Sequence, residues 1–365
     1  MSGTATTRQP LEFSVFFFSA DAKTASGPKY RLMLETAKFC DDNGFTAVWT
    51  PERHFAAFGG LYPNPAITGA ALAMATKRLK IRAGSVVLPL QNPLRVAEEW
   101  AVLDNLSEGR VGVAFASGWH VNDFVLAPAS YANRREDMFH KLSIVQQLWR
   151  GEKLRLANGA GNEVEVEVLP RPIQPELPTW LTCQADETFA KAGELGHSVL
   201  TNFNFKKFAE LERKIRIYRD SIQTQHGRWG HLTLMVHAYV GEDEKSVLET
   251  AVPVLNAYLH ENLAVQQTNL NLGKQTSAGG TGDDDEVRLT DEDRQFLVQR
   301  ATTQFVSESG FIGTKETCCE NASRLYAAGV DELACLIDFG VPLDETLQSL
   351  RRIAEVSIRL RGARS

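Results

Sequence analysis

Residues 80–120 read KIRAGSVVLPLQNPLRVAEEWAVLDNLSEGRVGVAFASGWH. The stretch opens on Lys80–Leu88 and closes on Val111–Ala116, two runs in which apolar and β-branched residues are nearly continuous. Strands buried on both faces have this character. Between them, Leu94–Leu106 sets Val96, Trp100, Leu103 and Leu106 at helical spacing and ends in Ser-Glu-Gly, a helix stop. Strand, helix and strand make a βαβ unit, and the unit recurs along the chain. Further strand runs are Phe13–Phe18, Ala47–Thr50, Thr179–Thr182, Ser198–Thr201, Leu232–Tyr239 and Glu332–Ile337. Amphipathic segments at Tyr30–Asn43, Arg135–Trp149, Lys206–Ile222 and Thr314–Ala328 separate them. Eight strand runs alternating with helices predict an α/β fold, a closed (β/α)8 TIM barrel forming one domain over residues 1–365.

Two insertions interrupt the alternation, at about 153–170 and about 262–295. Leu154–Val168 alternates polar and apolar residues around Asn158-Gly159 and predicts an excursion hairpin after the fourth helix. Asn269–Asp293 is polar and glycine-rich, with Asp283, Asp284, Asp285 and Glu286 in a row. It reads as a long mobile loop between strands seven and eight, either a solvated connection or a lid over the C-terminal face of the barrel.

Composition narrows the class. A formal net charge of −6 argues against a nucleic-acid-binding body, which concentrates Lys and Arg on one face. No run approaches the roughly 18 apolar residues of a membrane helix. The five cysteines, Cys40, Cys183, Cys318, Cys319 and Cys335, show no CxxC spacing and are odd in number, so a reducing, cytoplasmic setting is expected. Leu11–Ala20 imitates the apolar part of a signal peptide, but only Arg8 precedes it as a charge and it equally suits a buried strand.

Several chemistries lack their motif. GxSxG, HExxH and GxxxxGK[ST] do not occur. Gly159 and Gly161 half-match GxGxxG but precede a strand, so no Rossmann pyrophosphate site is expected. His260-Glu261 and His120 have no metal-ligand spacing, and no metal is expected.

The polar residues with chemistry to offer stand at strand ends, where this fold places its active sites. Strand two ends in Trp49-Thr50-Pro51-Glu52-Arg53-His54-Phe55, so a carboxylate, a guanidinium and an imidazole emerge together. They suit either a salt-bridge network bracing the rim or catalysis. Gly84-Ser85 inside strand three suggests a bulge or a close backbone approach to a ligand. Strand four ends in Ala116-Ser117-Gly118-Trp119-His120, a plain turn or a small-residue floor with Trp119 lining a cavity. Gln184-Ala185-Asp186-Glu187-Thr188 begins a helix after strand five, a natural anion site or an ordinary N-cap; the two acids fit an anion there only if turned outward.

Taken together, residues 40–55 (CDDNGFTAVWTPERHF), the whole of 64–119 and 313–333 (GTKETCCENASRLYAAGVDEL) resemble the bacterial-luciferase-like flavin-dependent monooxygenase family. The order of E-x-H, Asn-Pro, L-P-x-x-x-P, S-x-G-R and the S-G strand-four end carries the resemblance. ERHF, GSVVLPLQNP and FASGWHVNDF are most similar to the subgroup found in polyketide and nonribosomal-peptide biosynthesis, where members occur within assembly lines or as separate proteins. The resemblance implies reduced FMN supplied by a separate flavin reductase, O2 as co-substrate, and a homodimer. The organic substrate is expected to be a small molecule or an intermediate tethered to a carrier protein.

The same resemblance assigns residues. Ser85 with Gly84 matches the strand-three bulge against which the isoalloxazine packs. His54 matches the second histidine of the luciferase E-H-H-F run, and Arg53 replaces the first. The first is the catalytic one in luciferase, so its acid/base role does not carry over; of the pair here His54 is the better acid/base candidate, because imidazole titrates near neutral pH, and Arg53 is left as a stabiliser of a negatively charged flavin adduct or a substrate carboxylate. Ala116 stands for a reactive cysteine and Ser117 for a phosphate-contacting arginine. Phosphate binding then falls to Gln184, Ala185, Asp186, Glu187 and Thr188, with Arg134 or Arg135, while Ser117 and Gly118 are expected among the other cofactor-binding residues. Glu52, Asn64, Trp119 and His120 are expected to line the substrate pocket. Two other functions compete: a deazaflavin-dependent oxidoreductase on the same barrel, and a non-catalytic flavin- or partner-binding subunit.

Overall fold

The computed structural model describes residues 8–18, 28–203, 207–263, 290–306 and 310–362. Among these, the strands in chain order are β1 (Glu12–Phe16), β2 (Ala47–Thr50), β3 (Lys80–Val87), β4 (Val111–Ala116), β5 (Leu154–Ala157), β6 (Glu163–Val166), β7 (Thr179–Thr182), β8 (Ser198–Asn202), β9 (Leu232–Val240), β10 (Phe311–Gly313) and β11 (Glu332–Leu336). Parallel pairing runs β1-β2-β3-β4-β7-β8-β9-β11, and β11 returns to β1 in the register Glu12↔Glu332 to Phe16↔Leu336, which closes the barrel. All eight expected runs form these strands. Within Leu11–Phe18, Glu12–Phe16 is a barrel stave.

Alternation along each strand sorts the side chains. Val15, Val48, Ile81, Val113 and Cys335 point outward, into the layer shared with the helices. Phe16, Ala47, Trp49, Ala114, Trp180, Leu200, Met235, Ala334 and Leu336 fill the barrel. Trp180 sets the size of its neighbour: a Cβ on Gly112 would lie 2.8 Å from the indole, so only glycine fits. Asparagine caps with proline in the first turn start the helices Pro65–Ala75 and Pro93–Leu106. Gly151 (φ +90°) and Gly329 (φ +112°) end Arg134–Arg150 and Lys315–Ala328 in the left-handed region.

The floor of the barrel is polar. Glu332 is fully buried; it accepts hydrogen bonds from Arg82 Nη1 (2.6 Å), Ser14 Oγ (2.5 Å) and Trp49 Nε1 (3.0 Å), and lies 3.0 Å from His231 Nε2. The Arg82 guanidinium sits between the rings of Trp49 and Trp180, 4.9 and 4.4 Å from their centroids.

The insertions differ in part from expectation. β5 and β6 pair antiparallel as the predicted hairpin. The segment between strands seven and eight carries more regular structure than a loop. A helical run reaches 263, the last residue described before 290, and Thr290 opens the helix Asp291–Gln304 through a reciprocal cap with Asp293. The rest of the expected loop, 269–289, lies outside the described residues. β10, which the sequence reading missed, pairs with Ala238–Val240, the part of β9 that projects past its barrel partners. All five cysteines are free thiols. Among the described residues no helix is long and apolar enough to cross a membrane.

Candidate active site

The end of β2 delivers Glu52, Arg53 and His54 to the C-terminal rim, and their side chains take different directions. Glu52 turns into the wall. Its Oε2 accepts the Val87 N–H (2.6 Å), and its Oε1 accepts Gln91 Nε2 and lies 3.0 Å from His54 Nε2. Glu52, an expected pocket residue, thereby fixes the end of β3 and the His54 ring. Asn64, likewise an expected pocket residue, caps the helix Pro65–Ala75, its Oδ1 accepting from the Ala66 and Ile67 N–H groups.

Arg53 is 3% exposed. Its Nη1 donates to Asp123 Oδ2 (3.1 Å), and its Cζ lies 4.8 Å from the Trp119 ring centroid. Both partners come from the segment after β4, so the guanidinium spans the end of β3, which lies between β2 and β4. Its Nε and Nη2 have no hydrogen-bond partner, and neither have Asp123 Oδ1 and His120 Nδ1, which face each other at 3.7 Å. Burial draws the Arg53 pKa down against the pull of Asp123, and burial pushes Asp123 up against Arg53. Burial, with the Arg53 charge, lowers His120 to about 4, so this imidazole is neutral at pH 7.

β3 carries the expected irregularity. The Gly84–Ser85 peptide is cis, and the β3–β4 register shifts between Gly84 and Val86. A Cβ on Gly84 would meet the Phe16 ring at 2.6 Å. Ser85 is half-buried and bonds Thr182 Oγ1 at the end of β7. Beyond β4, Gly118 has φ +82°, and a Cβ there would lie 2.8 Å from both Phe124 and Val87. Ser117 beside it is half-buried, and Trp119 is 47% exposed.

Arg134 rather than Arg135 approaches this turn. Its Nε donates to the Gly118 carbonyl (3.3 Å), while Arg135 is exposed at the start of its helix. The other expected anion site is the start of the helix Asp186–Glu194, where Ala185 supplies no side-chain cap. Asp186 turns outward to Arg213, Glu187 is exposed, Gln184 Nε2 reaches Asn202 Oδ1 (3.1 Å), and Thr188 Oγ1 donates to the Ala185 carbonyl (2.7 Å).

His237 escaped the sequence reading, although a histidine within the apolar run Leu232–Val240 was a visible signal. It is 2% exposed, with ring contacts at 4.9 Å to Tyr258, 4.7 Å to Phe305 and 5.9 Å to Phe339. Both of its ring nitrogens lack a partner, and burial lowers its pKa to about 3. His237→Phe is expected to stabilise the fold at pH 7 by about 1–3 kcal/mol, since it removes unpaired buried polar atoms. The depressed pKa also sets a pH slope. Its stability is complete above the ordinary histidine pKa of about 6.5 and is lost as pH falls toward 3, because the unfolded chain takes up the proton first. Denaturant titration should show the advantage of the variant growing by about 2 kcal/mol from pH 7 to pH 5. A variant less stable than wild type at pH 7, or an unchanged difference at pH 5, contradicts this account.

Comparison with known proteins places this rim in context. Residues 11–332 match the family described as luciferase-like monooxygenase. The oxygenase component of the flavin-dependent trigonelline monooxygenase of Acinetobacter baylyi is 24% identical over 353 residues, covering 94% of this chain and 93% of that one. Monooxygenase RslO1 of Streptomyces bottropensis superposes with a TM-score of 0.73 at 21% identity, covering 94% of this chain and 98% of that one. The oxygenating constituent of 3,6-diketocamphane monooxygenase from Pseudomonas putida, solved with FMN, gives 0.73 at 18% identity, with 96% and 98% covered.

Proposed function

The chain belongs to the luciferase-like monooxygenase family, and on that premise we propose that it is the oxygenase component of a two-component, FMN-dependent system. In this reading a separate reductase provides reduced FMN, and the chain works in the cytoplasm as a homodimer. The acceptor is a small-molecule or carrier-tethered intermediate of natural-product assembly. The subgroup resemblance of ERHF, GSVVLPLQNP and FASGWHVNDF supports that acceptor class.

The observation that carries the reading is the composition of the rim: unpartnered buried donors on Arg53 beside a bulged β3 and a neutral His120. Half-buried Ser85 and Ser117 and the Gly84 and Gly118 backbone are the groups to receive a planar cofactor. The uncapped helix start at Gln184–Thr188, with its outward-turned acids, suits a phosphate, as free N–H groups and the helix dipole do. Arg134 supplies a cation nearby at Gly118; the exposed Arg135 is a weaker choice. When bound, reduced FMN supplies the electrons that activate O2 for transfer of one oxygen atom to the organic substrate. The residues of this chain do the rest. Arg53 offers fixed positive charge, His54 takes or gives a proton, and the aromatic wall of Phe58, Tyr258 and Phe339 keeps water away.

The test uses the purified chain. NADH and NADPH alone should not be oxidised, whereas pre-reduced FMN should bind and show protein-dependent reaction with O2 in rapid mixing. Robust NADPH oxidation by the chain without a reductase sinks the two-component reading.

A further inference from the structure

We propose that the free edge of the Arg53 guanidinium recognises a carboxylate on the organic substrate, so that the molecule oxygenated is an organic acid with an apolar ring body. This rests on the oxygenase reading above. Nε and Nη2 lie on one edge of the guanidinium and present parallel N–H groups. That edge has no acceptor, whereas Nη1, across the group, is held by Asp123. Trp119 covers a face of the same group, so the guanidinium is restrained in direction as well as in position. The stem is seated by Gly59, where a Cβ would lie 2.9 Å from Arg53 Cγ. Buried charged donors left without acceptors are unfavourable, and a planar pair of oxygens satisfies both at once. A lone carbonyl can align only one oxygen with the fork, and the cofactor phosphate is assigned above to the uncapped start of the helix Asp186–Glu194.

A second anion beside Asp123 would be opposed by like charge. Burial already pushes the Asp123 carboxyl up, with Glu52 acting in the same direction and Arg53 and His54 opposing. Asp123, with His120 facing it, can therefore take up a proton as the ligand arrives. The ring body follows from what adjoins Arg53. Phe58 precedes Gly59 and packs at 5.3 Å on Tyr258, which continues through His237 and Phe339. A flat apolar body lies naturally against such a wall.

The test is calorimetric titration of the full chain, with and without FMN, using benzoate, phenylacetate and cyclohexanecarboxylate against their primary amides. We expect at least one carboxylate to bind about tenfold or more tightly than its amide. Arg53→Lys, which keeps charge but loses the fork, should erase that difference. Should Arg53→Lys fail to fold, Trp119→Leu at a half-exposed position should weaken carboxylate binding about threefold or more, by releasing the guanidinium. Equal binding of acid and amide, or no carboxylate binding in the millimolar range, overturns the proposal. So does an Arg53→Lys variant that loses FMN affinity but keeps riboflavin affinity, because the fork then belongs to the cofactor phosphate. Carboxylate binding without any reaction of reduced FMN with O2 would count against the oxygenase reading and leave the fork standing.

Discussion

Arg82→Met is expected to destabilise the barrel by about 3–5 kcal/mol at pH 7, the cost of leaving a buried carboxylate without its counter-ion. Glu332 has no access to water and lies at the start of β11, inside the floor. Burial by itself would raise its pKa. Arg82 first, then His231 and Ser14, overcome that and hold the carboxyl well below its ordinary range. A lowered folded-state pKa means stability that is present above about 4.5 and lost as pH falls below it. In the variant the same carboxyl has lost its strongest partner, so burial dominates and it protonates far more readily. The deficit should therefore shrink between pH 7 and pH 5 in denaturant titrations. The double variant Arg82→Met/Glu332→Met should recover most of the loss, since replacing a buried pair with apolar side chains of similar size is often neutral. A single-variant loss under about 1 kcal/mol would show that the pair is solvated in practice. The folded variant should keep its flavin affinity, because this network closes the end of the barrel opposite the rim.

That floor also shows what a sequence conceals. The eight barrel strands were legible because each is apolar on both faces, and Glu332 could be read as the start of one of them. Nothing near Glu332 announces that its charge points inward, since its partner Arg82 lies in another strand run. Arg53 poses the same problem. Its place at the end of β2 was readable from the cluster of charges, but its partner Asp123 sits in a short helical turn after β4. The bulge at Gly84-Ser85 was legible for a local reason: small and polar residues inside a buried strand have few other uses. β10 was not, because Phe311–Gly313 is too short to show a period and exists only against the projecting end of β9. Glu52 and Asn64 show what a sequence leaves out about a side chain's partners. Both bond backbone N–H groups nearby, and that choice between solvent, ligand and backbone is made by tertiary geometry.

His54→Ala is expected to slow product formation by roughly 10²-fold or more at saturating reduced FMN, the range for loss of a positioned acid or base. Flavin affinity should change little. The geometry around the ring gives the reason. Glu52 accepts from the Val87 N–H and from Gln91, and a carboxylate that accepts at both oxygens has no donor to offer. Nε2 of His54, 3.0 Å away, must then be the donor in that pair. The Nε2 position is thereby the donor toward Glu52, and Nδ1 is the ring nitrogen left to exchange a proton with a reacting group. The ring is also restrained, since its side chain is 10% exposed and sits beside Phe55. Arg53 cannot replace it, because a guanidinium stays protonated at neutral pH. Glu52→Gln separates the two contributions. It retains the shape of the brace but can present an N–H where the carboxylate accepted, so the ring loses its assigned tautomer. Its turnover should fall less than that of His54→Ala, with the pH profile displaced. If both residues merely brace the rim, the two variants would lose thermal stability and remain fully active when folded. Equal single-turnover rates for wild type and His54→Ala would decide for that role.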